Sequence, residues 1–180
     1  MKILFAPLFF FVFSTCACAQ SGTDTIYWSP CYKLKWEDFK GTPETPSKNA
    51  AVSRPGIKYY LTANEDSFNI KVICFFIKSR SWSKLKNSDT LLMHEQVHFD
   101  IAELFARKLR KAFTEYKFHY ATAGKDIDKL FLLNKQKRAE MDTLYDKETD
   151  FSRNRKQQLL WNKKINPELD KLKKYASSMF

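Results

Sequence analysis

Two histidines flank a glutamate in His94-Glu95-Gln96-Val97-His98. On a helix, residues i and i+4 lie on one face about one turn apart, so both imidazoles can bind one metal ion. Glu95 stands beside the first of them. From there it can take a proton from a water activated by that ion and later hand it to a leaving amine. Zinc suits this pattern, because it lowers the pKa of a water and polarises a carbonyl. His94 and His98 are therefore candidate zinc ligands, and Glu95 is the candidate general base. A structural zinc is the competing use. Structural sites usually take four ligands, mostly cysteine, and here the cysteines are distant in sequence.

A catalytic zinc needs a third protein ligand. The extended motif HExxHxxGxxH is absent, since Ile101 and Leu104 stand where its Gly and last His would be. His119 is the one remaining histidine. It lies 21 residues past His98, about 30 Å along an unbroken helix. It reads as an ordinary surface or partly buried histidine. The third ligand is then a carboxylate from a later helix, within Asp142 to Asp150. Asp142, Tyr145, Asp146 and Thr149 share one helical stripe there, and Met141, Leu144, Tyr145 and Glu148 share another. Spacing does not choose between Asp146 and Glu148.

The elements that must position these residues can be read from the pattern. Thr25 to Trp28, Ile57 to Thr62 and Phe68 to Lys78 are rich in β-branched and aromatic residues and read as strands. Asn64-Glu65-Asp66 is a hairpin turn between the last two. Cys74 to Ile77 is apolar without alternation, which predicts a strand buried on both faces. From Ser88-Asp89 the period becomes helical, with Asp89 as N-cap and no break before Gly124. His94, Glu95 and His98 fall on or beside the stripe that faces the core, where buried polar groups need partners. Further helices are expected over 126–149 and 152–177, the latter kinked or split at Pro167. Glu103 and Arg107 read as a plain i,i+4 pair. Trp28, Trp36, Trp82 and Trp161 read as core aromatics rather than substrate platforms. The fold class is α+β: a small N-terminal β-sheet region, then long helices, one of them carrying the site.

Residues 1–20 differ from the rest. A basic start, an apolar run from Ile3 to Phe13 and the small-x-small segment Ala17-Cys18-Ala19 read as an export signal, cut after Ala19 or Gln20. A lipid-modified cysteine is the alternative, although neither Cys16 nor Cys18 follows a leucine-led lipobox. Residues 21–180 are then a single domain, large enough for a real core. Cys31 and Cys74 remain, as a disulfide or as two buried thiols. The net charge is +11 over 180 residues. Its lysines and arginines alternate with acids along helices, as on a solvated face, and no nucleic-acid motif appears. No run after the signal is long and apolar enough to span a membrane.

His94-Glu95-Gln96-Val97-His98-Phe99-Asp100-Ile101, with Tyr145-Asp146-Lys147-Glu148-Thr149, resembles the DUF922 family of bacterial secreted proteins, described as zinc-dependent proteases. Trp36-Glu37-Asp38-Phe39-Lys40-Gly41 resembles that family's tryptophan-led N-terminal motif. The second family pattern is Tyr-Asp-x-x-Thr-x-His. This chain matches it at Tyr145, Asp146 and Thr149 and carries Phe151 in the last position. The resemblance implies a zincin-like metallopeptidase. Its third ligand, beside His94 and His98, is either Asp146 or the family histidine that Phe151 replaces here, in which case the site has lost it. Asp146 is the expected one. The resemblance also suggests Tyr145 as a donor to a developing oxyanion. Asp100 could orient a ligand histidine. The expected partner is a peptide or protein substrate, including cell-envelope material, met by a monomer. Two rivals stand beside this: a metal-dependent envelope-binding module without catalysis, and a basic adaptor for anionic polymer or lipid.

Overall fold

The computed structural model describes residues 23–176. The expected export signal lies outside that range. Five strands come first: β1 (Thr25–Tyr27), β2 (Ala51–Val52), β3 (Pro55–Ala63), β4 (Phe68–Ile77) and β5 (Trp82–Ser83). Three helices follow: α1 (Asp89–Thr114), α2 (Ala123–Thr149) and α3 (Arg155–Lys171). The fold is α+β, as the sequence implies. One antiparallel sheet has the order β1-β4-β3, and β2 pairs with β5 in a second, two-stranded ribbon.

The β3–β4 hairpin turns where expected. Asn64 Oδ1 accepts from the backbone N–H groups of Asp66 and Ser67, which replaces ladder bonds with a local turn. β4 differs from expectation. Ile70, Val72, Cys74 and Phe76 are buried, while the residues between them are half-buried or exposed. Only one face is fully covered, because α1 packs on that side alone.

α1 is buried on two sides. Phe99, Ala102, Ala106, Leu109 and Phe113 pack against the sheet. Val97, Ile101, Leu104 and Phe105 pack against Tyr145 of α2 and Trp161, Ile165 and Leu169 of α3. No residue from Leu91 to Arg110 is exposed. The layers are therefore sheet, central helix, helix pair.

The helix boundaries correct three expectations. Ser88, not Asp89, is the N-cap of α1: its hydroxyl accepts from the Leu91 N–H at 3.2 Å. Asp89 is the first helical residue, where its charge suits the helix dipole. α1 stops at Thr114 without a glycine or proline. Beyond it Phe118 stacks on Phe68 at 5.0 Å and Tyr116 meets the same ring edge-on. The Tyr116 hydroxyl also donates to Asp126, so tertiary contacts end the helix. Gly124 lies inside the first turn of α2 and breaks nothing. Pro167 lies inside α3, which continues through it. Trp161 and Ile165 before the proline, and Leu169 after it, all stay docked in one core, so the helix is not split there.

Glu103 and Arg107 are not a surface pair. Glu103 Oε1 accepts from Arg107 Nε and Arg110 Nη1, each at 2.9 Å, and all three side chains are buried. The two guanidiniums also donate to the carbonyls of Val72, Leu169 and Tyr175, and so tie β4, α3 and the end of the described chain to α1.

Cys74 is a buried free thiol, which excludes a Cys31–Cys74 disulfide. Burial pushes its pKa up, as expected for an unreactive core thiol. Trp82 and Trp161 are buried, and Trp28 and Trp36 are half-buried against the sheet core. These are the packing roles the sequence suggests. Among the described residues, no helix is long and apolar enough to cross a membrane.

Candidate metal centre

α1 and α2 lie side by side, and their contact sets the site. His94 and His98 project from the first half of α1, and Asp146 meets them from the last turns of α2. Asp146 Oδ1 is 3.1 Å from His94 Nε2 and 2.9 Å from His98 Nε2. The two Nε2 atoms are 3.2 Å apart. Among the described residues, these three form a cluster whose ligand atoms all lie within 4.8 Å of one another.

Do these residues fit zinc? Bonds of about 2.0–2.2 Å in a tetrahedron place ligand atoms about 3.3–3.6 Å apart. The observed triangle is slightly smaller and needs only a small expansion. The outer nitrogens agree. His94 Nδ1 faces Gln158 Oε1 at 3.1 Å, and His98 Nδ1 faces Asp142 Oδ1 at 3.0 Å. Acceptors opposite both Nδ1 atoms hold a proton there, so Nε2 is the nitrogen of each ring that a metal would take. Asp142 is held in turn by Arg138 at 3.2 Å, and Arg138 donates to the Pro55 carbonyl.

Three further residues are placed by the geometry. Glu95 is buried, and its Oε2 accepts from the Ser53 N–H at 3.1 Å. It lines the cleft of 710 Å³ that holds His94, His98 and Asp146, with the segment 48–55 as opposite wall. Glu148 accepts from Trp161 Nε1 at 2.7 Å and lies outside the cluster, which removes it as third ligand. His119 is exposed in the α1–α2 loop, also outside the cluster.

Tyr145 and Asp100 do not take the roles suggested for them. Tyr145 is fully buried, stacked on His94 at 4.6 Å, with its hydroxyl donating to the His94 carbonyl at 3.3 Å. It supports the imidazole and offers nothing to an oxyanion in the cleft. Asp100 accepts from Trp28 Nε1 at 2.7 Å and Gln96 Nε2 at 2.9 Å. Gln96 Oε1 accepts from the Leu34 N–H. The pair anchors the N-terminal segment to the sheet-facing side of α1 and touches neither ligand histidine.

Gln158 and Ser53 were not assigned roles from sequence, and Asp142 was named only within the range of candidate third ligands. Gln158 had a usable signal. It shares a helical stripe with Trp161, Ile165 and Leu169, and a polar residue on an apolar stripe must find a buried partner. Nothing local marks Ser53.

Charge is tightly coupled here. Burial works against the His98 cation, but hydrogen bonds with Asp142 and Asp146, helped by Glu95, outweigh it and hold its pKa up to about 10. Burial raises the Asp146 pKa, but hydrogen bonds from both histidines outweigh it and hold the carboxyl well below the usual range. Without metal, the His98 contribution to stability is complete below its unfolded pKa and is lost as pH rises through about 10. The Asp146 contribution is present above the ordinary carboxylate range and is lost as pH falls through the lowered value.

A metal must displace the proton from His98 Nε2. Apparent zinc affinity is therefore expected to rise roughly tenfold per pH unit across the neutral range. Competition titrations with a zinc-binding dye at several pH values read this slope. A flat profile would show that His98 is already neutral without metal.

Fold and site together define an α+β chain in which the central helix and α2 bring His94, His98 and Asp146 into a cluster that could hold a metal ion, with a buried glutamate in the same cleft. Comparison with protein-family models, curated proteins and solved structures finds no match.

Proposed function

We propose that this chain is an exported zinc-dependent metallopeptidase. The observation that carries the reading is the convergence of His94 Nε2, His98 Nε2 and Asp146 Oδ1 within 3.2 Å of one another, in the cleft lined by Glu95. It agrees with the resemblance to secreted zinc-dependent proteases. Export rests on the character of residues 1–20 alone.

A zinc bound there would supply Lewis-acid polarisation of the scissile carbonyl and lower the pKa of a water. The chain does the rest. Asp142 and Gln158 fix both imidazoles by their Nδ1 protons, and Arg138 fixes Asp142. Ser53 holds one carboxylate oxygen of Glu95. Glu95 takes a proton from the water as its oxygen bonds to the carbonyl carbon. It returns that proton to the amine nitrogen as the C–N bond breaks. One water is consumed, and a carboxylic acid and an amine are released.

The test is metal content of the purified mature chain by mass spectrometry, beside His94→Ala and Asp146→Ala. About one zinc per chain is expected, lost in both variants. Zinc lost only in His94→Ala would move the third ligand away from Asp146. No zinc in the wild type, even when it is supplied, would sink the hydrolase reading.

A further inference from the structure

The turn between α2 and α3 holds three consecutive non-glycine residues at positive φ: Asp150 at 48°, Phe151 at 51° and Ser152 at 78°. Asp150 is the C-cap of α2, a position and residue type that tolerate the left-handed region. Phe151 is different, because a bulky side chain is a genuine outlier there. The turn is nevertheless firmly made. The Phe151 N–H donates to the Asp146 carbonyl at 2.9 Å, and the Asn154 N–H to the Thr149 carbonyl at 2.8 Å.

The strained backbone gains little burial in return. The Phe151 side chain is 55% exposed. Its position is informative instead: the ring lines the cleft that holds His94, Glu95, His98 and Asp146. It is also braced. The Arg153 guanidinium lies 6.0 Å over the ring, and Asp150 grips Arg153 through two bonds at 2.9 and 2.6 Å. An aromatic wall thus faces the cleft that holds the histidines and carboxylates, and a strained residue whose ring stays exposed there points to a ligand contact.

We propose that Phe151 is a specificity-determining contact. Its ring packs against an apolar side chain, best an aromatic one, next to the scissile bond of a bound peptide. The inference rests on the metallopeptidase reading above and adds the substrate class.

Two peptide hydroxamates test it, identical except for phenylalanine or glycine beside the hydroxamate. Each is titrated into zinc-loaded wild type and Phe151→Gly. The wild type is expected to bind the phenylalanine probe about tenfold tighter, and the variant to bind both alike. Phe151→Gly should also unfold at an equal or higher urea concentration, since glycine adopts positive φ without strain. Equal binding of both probes by the wild type would overturn the inference and leave the metal centre standing. So would a preference that survives in the variant. A clear loss of stability in Phe151→Gly would make the ring a packing residue and overturn it independently of any metal. Failure of both probes to bind would sink the metal reading, and this inference with it.

Discussion

Replacing Glu95 by glutamine is expected to abolish peptide hydrolysis while zinc stays bound. Glutamine keeps the size and an oxygen that can still accept from Ser53 N–H at the observed 3.1 Å. It cannot take a proton. Removing a general base of this kind costs about 10²–10⁴-fold in rate. Zinc content should not fall, because Glu95 lies outside the ligand triangle. Turnover of a fluorogenic peptide, read beside metal content, separates three cases. Lost activity with retained zinc supports the hydrolase. Unchanged activity would remove Glu95 from the chemistry. A wild type that binds zinc and cleaves no peptide would leave a metal-dependent binding module.

Glu103→Ala is expected to lower the unfolding free energy by about 3–5 kcal/mol, as breaking a buried ion pair typically does. The size follows from what is left behind. Arg107 and Arg110 stay buried, with two cations and no carboxylate between them. Their bonds to the Leu169, Val72 and Tyr175 carbonyls satisfy donors and solvate the cations in part, but supply no counter-charge. Replacing all three residues by apolar side chains of similar volume should cost much less. Urea unfolding of both variants measures the difference. A loss under about 1 kcal/mol for Glu103→Ala, the range of exposed pairs, would mean that water reaches the site.

Local pattern carried more of this molecule than long-range geometry did. The three longest-range features of the sheet, β1, β3 and β4, were legible because β-branched and aromatic runs bounded by turn residues have few other uses. The HExxH residues were legible because one helical turn sets their geometry. Asp146 was legible only as one of two acids, and Glu148 was excluded by a bond to Trp161 that crosses from α2 to α3.

Other readings failed where a partner came from afar. The spacing of Glu103 and Arg107 gave a correct pair and no sign of its burial, because neither Arg110 nor the carbonyls it meets can be placed by period. The end of α1 was missed because Phe68, on the other side of the sheet hairpin, draws Tyr116 and Phe118 out of the helix. Tyr145 was correctly put near the histidines. The direction of its hydroxyl depends on how α2 docks on α1, and no stripe encodes that.

The burial of α1 on both sides bears on how a metal would leave. Its backbone amides between His98 and Leu109 lie more than a turn inside either helix end, at Asp89 and Thr114, so fraying gives them no route to exchange with deuterium. Such segments open only when the whole domain opens. His98 belongs to that slowest-opening unit, whereas His94 sits little more than a turn from the start of α1 and Asp146 one turn from the end of α2. An ion would then be released by loosening of the two helix ends that carry Asp146 and His94, with the His98 imidazole left standing as an anchor for its return.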